Sequence, residues 1–238
     1  MRDRTFAFGS YDDLADEYYD AQRHPTCANF RDGSVSLFES WFSTEVEDES
    51  QWDIGAGESV LAEVIASRGG VLDRMTALDS SPSMLDYSRR WKAFGVRFAV
   101  GNATRIPARM SSASLVAASL GDPFNSEAFW AEAARILRPD GVCIFTTPSY
   151  EWAEAFRNGG TTDYAEFELS NGRLVLIPSV IHSTDEQIRR IEQFGLRVDD
   201  VAHVTRADLE ERRTLSPKLS VLPDDNAAVV RGYRVVRT

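Results

Sequence analysis

The sequence predicts an α/β protein: a mostly parallel sheet covered by helices on both faces, with an N-terminal helical cap in front of it. Three observations predict it. From residue 51 onward, short apolar runs of strand length alternate with helix-length amphipathic segments, the order that builds parallel sheets. The first of these runs ends in a glycine turn, Gly55-Ala56-Gly57. The 238 residues are 43% hydrophobic and 26% charged, the balance of an ordinary globular protein rather than of a disordered, collagenous or coiled-coil chain.

The elements follow in order. Tyr11, Leu14, Ala15, Tyr18 and Tyr19 share one face of a helix predicted over 11–22, and acidic residues fill the other faces. Pro25 disfavours helix at His24, and a second helix is predicted from about Thr26 to Thr44. An acidic spacer, Glu45 to Glu49, closes this cap, so 1–49 is read as a cap over a body spanning 50–238. In the body, strands are predicted at Gln51–Ile54, Arg74–Asp79, Val96–Val100, Leu115–Leu120 and Val142–Thr147. Between them lie helices beginning near Val60, at Ser81-Pro82 and at Ser126; Ser81 is a favourable N-cap, with Pro82 at the first helical position. The Ser126 helix is predicted to end at Leu137, before Pro139-Asp140-Gly141. After a helix at 150–158 come a hairpin around Asn171-Gly172 and a helix capped by Ser183 and Glu186. Two last strands, Val198–Val204 and Val229–Val236, flank a polar loop or broken helix over 206–227.

The formal charge of −11 is uneven: residues 1–50 hold twelve acids against four bases, and the body is close to neutral. Dense Lys/Arg clusters that would neutralise a phosphate backbone are missing, so nucleic acid is not an expected partner. No apolar run reaches the roughly 20 residues that span a bilayer, and no signal-peptide core opens the chain, so a cytoplasmic protein without a membrane partner is expected. Cys27 and Cys143 lie far apart outside any CxxC spacing, and His24, His182 and His203 are scattered, so neither a disulfide framework nor a metal site is expected.

The segment Asp53-Ile54-Gly55-Ala56-Gly57-Glu58-Ser59 carries the most chemistry. Glycines at a strand end admit a ligand close to the backbone, and open α/β sheets bind ligands at the carboxyl ends of their strands. Asp79 ends the next strand, where a carboxylate can accept hydrogen bonds from a ribose diol. The dinucleotide pattern Gly-x-Gly-x-x-Gly/Ala fails at Val60, and no Gly-x-x-x-x-Gly-Lys-Ser/Thr loop is present. Asp53 and Glu58 would repel a pyrophosphate and suit a cationic ligand.

Residues from about 50 to 150 resemble the class I S-adenosylmethionine-dependent methyltransferases at four stations: Asp53-Ile54-Gly55-Ala56-Gly57; Leu78-Asp79-Ser80-Ser81-Pro82-Ser83-Met84-Leu85; Gly101-Asn102-Ala103; and Leu137-Arg138-Pro139-Asp140-Gly141-Val142. The resemblance implies a Rossmann-like, seven-stranded sheet of order 3-2-1-4-5-7-6 with its last strand antiparallel. It implies S-adenosylmethionine as cofactor and S-adenosylhomocysteine as product. The implied cofactor contacts are Asp53, Gly55, Ala56, Gly57, Asp79, Ser80, Met84, Asn102, Ala103, Ser119 and Leu120. Three positions depart from the pattern: Ser59 stands for the third glycine, Asn102 for an aspartate, and Ser112-Ala113-Ser114-Leu115 lacks a frequent aspartate.

Transfer from a sulfonium is an in-line displacement, so the protein chiefly orients the acceptor and excludes water. His24 and Asp122 are the candidate catalytic groups, and Tyr18, Tyr19, Arg23, Phe124, Asn125 and Trp152 the candidate acceptor contacts. The Tyr/Arg/His cluster belongs to the cap, which in the resembled family folds over the cofactor. Asp122, Phe124 and Asn125 belong to the loop after strand four, which resembles in outline the Asp/Asn-Pro-Pro-Tyr/Phe loop of amino-group methyltransferases but lacks its second proline. The acidic cap favours a neutral or cationic small-molecule acceptor, taken at O or N by a monomer or homodimer. A nucleic-acid or protein methyltransferase, and a catalytically silent cofactor binder, remain open alternatives.

Overall fold

The computed structural model describes residues 6–42, 50–157 and 163–237. Its centre is a seven-stranded sheet of β2 (Gln51–Ile54), β3 (Met75–Asp79), β4 (Arg97–Val100), β5 (Ala113–Ala118), β6 (Leu137–Pro148), β9 (Leu196–Thr205) and β10 (Ala228–Arg237). The strand order is β4-β3-β2-β5-β6-β10-β9, with β10 antiparallel to both neighbours and the other pairs parallel. Counted within this sheet, that is the expected 3-2-1-4-5-7-6. All residues of β2, β3 and β5 are buried, as strands covered on both faces must be. Side chains alternate between the two layers. Val116 and Ala118 pack with Phe129 and Trp130 of α5 (Glu127–Ile136), while Leu115 and Ala117 pack with Leu61 and Ile65 of α3 (Val60–Ser67) and Phe38 of α2 (Pro25–Trp41). Helix α2 lies close on β10, because Gly33 meets Val230 and Gly232 meets Trp41 and Leu37 where any Cβ would collide.

The serine caps form as the sequence expects: Ser81, Ser126 and Ser183 accept the backbone N–H groups of Met84, Phe129 and Glu186. Other elements differ. The expected helix over 11–22 is helical only in α1 (Tyr11–Leu14) and continues as turns. The Ser81 helix is α-helical over α4 (Pro82–Leu85) and then tightens into a 3₁₀ helix, Asp86–Phe94. Pro139-Asp140-Gly141 does not separate helix from strand but lies inside β6, opposite a register shift between Ala113 and Leu115. The spacer Glu45–Glu49 and the end of the second predicted helix at Thr44 lie outside the described residues.

A second sheet is expected only in its hairpin. The hairpin of β7 (Tyr164–Glu168) and β8 (Leu174–Pro178) forms around Asn171-Gly172, and β1 (Phe6–Phe8) joins β8 in parallel to give the order β1-β8-β7. This sheet roofs the carboxyl ends of the central strands. The remaining helices are α6 (Tyr150–Phe156), α7 (Thr184–Glu192) and α8 (Arg206–Glu210), with a 3₁₀ turn at Pro217–Val221.

Candidate active site

A cavity of about 540 Å³ lies between the carboxyl ends of β2, β3 and β5 and the roof, within the range of small-molecule sites. Its floor begins at the glycine turn. Gly55 and Gly57 have φ of +64° and +42°, and a Cβ on them would meet the Phe124 ring at 2.5 Å and the Tyr19 hydroxyl at 2.2 Å. The amides of this turn are all engaged. Ala56 N–H donates to Leu78 O at 3.0 Å, Gly57 N–H to Asp79 Oδ2 at 2.9 Å, Glu58 N–H to the Tyr19 hydroxyl at 2.6 Å, and Ser59 N–H to Ser88 Oγ at 2.8 Å. A phosphate bound at a helix start draws on free N–H groups; this turn leaves none of these four for one. It fits a ligand that approaches by shape and by the Asp79 carboxylate.

Asp79 also accepts from Ser81 N–H at 2.9 Å, so its carboxylate is fixed at the end of β3 and lines the cavity. Asp53 stands differently. It is 1% exposed, accepts the Ser59 hydroxyl at 2.5 Å, and does not line the cavity, so it braces the turn from beneath. Burial pushes its carboxyl up to about 7. Ala56, Ser80, Met84, Asn102, Ala103, Ser119 and Leu120 line the cavity with the two glycines. Asn102 Oδ1 already accepts the N–H and hydroxyl of Thr104, each at 2.9 Å. Ser119 is held by Ser34, whose hydroxyl also meets Thr146 at 2.7 Å, and Thr146 Oγ1 takes the N–H of Leu120, a residue at φ +51°.

Of the expected acceptor-side residues, Tyr18, Tyr19, Phe124 and Asn125 reach the cavity wall. Asn125 is nonetheless saturated: it donates to Val180 O and Gln187 Oε1 and accepts from Trp130 Nε1 and Gln187 Nε2, which exhausts a carboxamide. His24, Arg23, Trp152 and Asp122 are not among the lining residues. The His24 ring sits edge-on to Phe167 at 5.6 Å, and Arg23 pairs with Glu17 at 3.3 Å. Trp152 stacks on Phe156 and donates to Lys218 O. Asp122 is bonded to the Ser179 hydroxyl with the Arg157 guanidinium nearby, and burial pushes its carboxyl up to about 7.

The shift on Asp122 fixes a sign. Between the ordinary carboxylate range near 4 and about 7, the folded chain holds a proton that the unfolded chain has released. The contribution to stability is therefore complete below that range and is lost as pH rises through 7. Asp122→Asn is expected to melt at least as high as the wild type at pH 8, on the order of 2 kcal/mol more stable, with the difference fading by pH 5. Melting curves at both pH values check this, and a variant less stable at pH 8 than at pH 5, relative to wild type, contradicts it.

Sequence reasoning missed the α2 face of Cys27, Ala28 and Arg31, the β1–α1 corner of Ser10 and Tyr11, the roof residues Ile177, Pro178 and Val180, and Arg213. The 27/28/31 spacing is one helical face, which was a usable signal; the others depend on distant pairing. Arg31, rather than Arg23, stands at the glycine turn, contacting Glu58 O at 3.4 Å and pairing with Glu63 at 2.6 Å. Three of the described cap carboxylates are tied to other elements. Asp12 accepts the Ser81 hydroxyl at 2.5 Å, Asp13 binds Arg173 and Ser10, and Glu17 accepts Ser170 N–H at 3.0 Å. The exposed lining residues are Ser10, Ser80, Asn102, Thr104, Ser126, Pro178 and Arg213, which include no acid. Among the described residues no cluster suited to a metal ion occurs, and no helix is long and apolar enough to cross a membrane.

Residues 52–145 match the family model described as a methyltransferase domain. The whole fold is similar to several solved structures. A chain from the complex between the Haloferax volcanii Trm112 methyltransferase activator and a methyltransferase aligns with a TM-score of 0.71 at 17% identity, covering 97% of this chain and 99% of that one. An S-adenosylmethionine-dependent methyltransferase from Listeria monocytogenes aligns at 0.65 and 14%, covering 89% and 99%. The geranyl diphosphate C-methyltransferase from Streptomyces coelicolor, solved with Mg²⁺, geranyl diphosphate and S-adenosylhomocysteine, aligns at 0.64 and 15%, covering 99% and 91%. No curated protein matched the sequence. At these identities the likeness is one of fold.

Proposed function

We propose that this chain, an S-adenosylmethionine-dependent methyltransferase of the class I fold, transfers the methyl group to an O or N atom of a small-molecule acceptor enclosed beneath the roof sheet. The observation that carries the small-molecule reading is the partial cover over the site: the 9–19 segment and the end of β8 line the same cavity as the carboxyl ends of the central strands, narrowing it to about 540 Å³. The ionised lining is balanced, with Arg31 and Arg213 against Glu58 and Asp79, which supports an acceptor without a polyanionic backbone.

When bound, S-adenosylmethionine supplies an electrophilic sulfonium methyl group. The chain's own contribution begins with Asp79, whose carboxylate is placed to accept ribose hydroxyls, and with Gly55 and Gly57, which allow close approach at the turn. Arg31 lines the cavity beside that turn and is assigned to a carboxylate there. Leu120, Phe124 and Tyr18 wall the acceptor end, hold the acceptor and keep water out. Tyr11, Tyr18 and Cys27 all line the cavity, and burial raises their pKa values, the Cys27 thiol to about 12. At neutral pH they are protonated and act as hydrogen-bond donors rather than bases. The reading therefore favours acceptor atoms that already carry a lone pair at neutral pH, such as an uncharged amine, and it assigns no proton removal to His24 or Asp122.

S-adenosylhomocysteine at 100 times its Kd is expected to stabilise the chain by about 2.7 kcal/mol. For a protein of this size that is a rise in Tm of about 5–10 °C. An unchanged melting curve at millimolar S-adenosylhomocysteine, together with no methylated product from any small amine or hydroxyl acceptor, counts against the reading.

A further inference from the structure

Two guanidinium groups line the cavity. Arg31 contacts the glycine turn, while Arg213 stands on the segment between α8 and the Pro217 turn. That segment is fastened to α2 by buried hydrogen bonds: Ser216 N–H donates to Asn29 Oδ1 at 2.8 Å, and the Thr26 and Ser216 hydroxyls meet at 2.7 Å. The neighbouring Leu215 packs in the same apolar cluster as Leu120, which ends β5. Arg213 is thus held on the cavity wall by a segment anchored to α2.

Its partner is Asp32 on α2, which meets Nε and, at 3.1 Å, Nη2. A guanidinium offers five N–H donors, so one hydrogen bond and one ion-pair contact with Asp32 leave further donors on the other edge. Arg213 is exposed at the cavity wall, so its free edge is open to a ligand in the cavity. The rest of the acceptor wall is aromatic or apolar: Tyr11, Tyr18, Phe124, Ile177 and Val180.

We propose that Arg213 is a specificity determinant: the acceptor is an amphipathic molecule with a flat apolar body and a carboxylate, and the carboxylate docks on Arg213. This rests on the methyltransferase reading. It reverses the charge preference that the acidity of the first fifty residues suggested, because Asp12, Asp13 and Glu17 are bound to Ser81, Arg173 and Ser170 and no acid is among the exposed lining residues. The planar carboxylate matches the guanidinium fork, and the rings supply the contact area.

The test uses three aromatic amines of one shape and three charges, 3-aminobenzoate, 3-aminobenzamide and 3-(aminomethyl)aniline, titrated by calorimetry into full-length protein saturated with S-adenosylhomocysteine. Their aniline nitrogens are unprotonated at neutral pH, so the same three serve as methyl acceptors. The carboxylate is expected to bind at least tenfold more tightly than the amide. In Arg213→Gln the ratio is expected to fall to near one while the Kd for S-adenosylhomocysteine stays within twofold. Arg212→Gln, at a neighbour that pairs with Glu39 outside the cavity, is expected to keep the preference. Equal or tighter binding of the amide or the diamine, no measurable binding of any of the three, or a ratio unchanged in Arg213→Gln overturns the proposal. Absence of S-adenosylhomocysteine binding in the wild type overturns the transferase reading beneath it.

Discussion

Asp79→Ala is expected to weaken S-adenosylhomocysteine binding by about 100-fold or more. Two losses add. On the proposed reading the cofactor loses a carboxylate acceptor for its ribose hydroxyls, and hydrogen bonds to charged groups contribute about 1.5–3 kcal/mol each. The site also loses its own order, since Asp79 is the acceptor for Gly57 N–H and Ser81 N–H, which fix the turn after β2 and the start of α4. Burial raises the Asp79 carboxyl from its ordinary range, so the folded chain already bears a cost for holding it ionised. Asp79→Asn keeps one side-chain oxygen as an acceptor but places an amide donor against one of those two N–H groups. It is expected to fall between wild type and Asp79→Ala in affinity. Calorimetry with S-adenosylhomocysteine separates the two losses when combined with the melting temperature of the unliganded variants. Binding within threefold of wild type in Asp79→Ala would show that the carboxylate serves the turn alone.

Much of this architecture was legible because it is locally encoded. The inner strands β3 and β5 are short, mostly apolar runs bounded by turn residues, and Ser81, Ser126 and Ser183 mark helix starts through hydrogen bonds that reach only three residues ahead. The glycine turn and the carboxylate at the end of the next strand are likewise close in sequence: Gly57 and Asp79 are 22 residues apart and directly bonded. The roof was half legible. Its hairpin carries Asn171-Gly172, but β1 is three residues long and pairs Phe8 with Leu176, so nothing near residue 8 specifies its partner. What residue type cannot report is which way a side chain turns. Asp53 and Asp79 both end parallel strands, yet only Asp79 lines the cavity, because Ser59 captures Asp53 from below. The N-terminal acidity shows the same limit at larger scale. Twelve acids in fifty residues suggested an anionic entrance, whereas Asp12, Asp13 and Glu17 tie the cap to α4 and to the roof hairpin.

Asn125→Ala is expected to destabilise the chain by roughly 3–5 kcal/mol, the largest stability loss among the substitutions considered, and to lower Tm by about 10 °C. The side chain is 3% exposed and joins three elements. It receives Trp130 Nε1–H of α5 at 3.0 Å, donates to Val180 O in the segment leaving the roof at 3.0 Å, and exchanges two hydrogen bonds with Gln187 of α7. Alanine strands these groups in the interior, where each unsatisfied partner costs about 1–3 kcal/mol. Trp130 is 1% and Gln187 0% exposed, so water does not readily replace what is lost. Because Val180 lines the cavity, the substitution also frees that wall, and on the proposed reading the KM for the acceptor is expected to rise more than the Kd for S-adenosylhomocysteine. Replacing both amides, Asn125→Leu with Gln187→Leu, is expected to cost clearly less than the sum of the single changes, since each single change leaves an amide facing an apolar group. A double-mutant cycle by chemical denaturation measures that coupling. Additive costs would mean that the two amides act independently and that the roof is held to the loop after β5 mainly by the Val180–Asp122 backbone bond at 2.9 Å and the buried Asp122 carboxyl on Ser179.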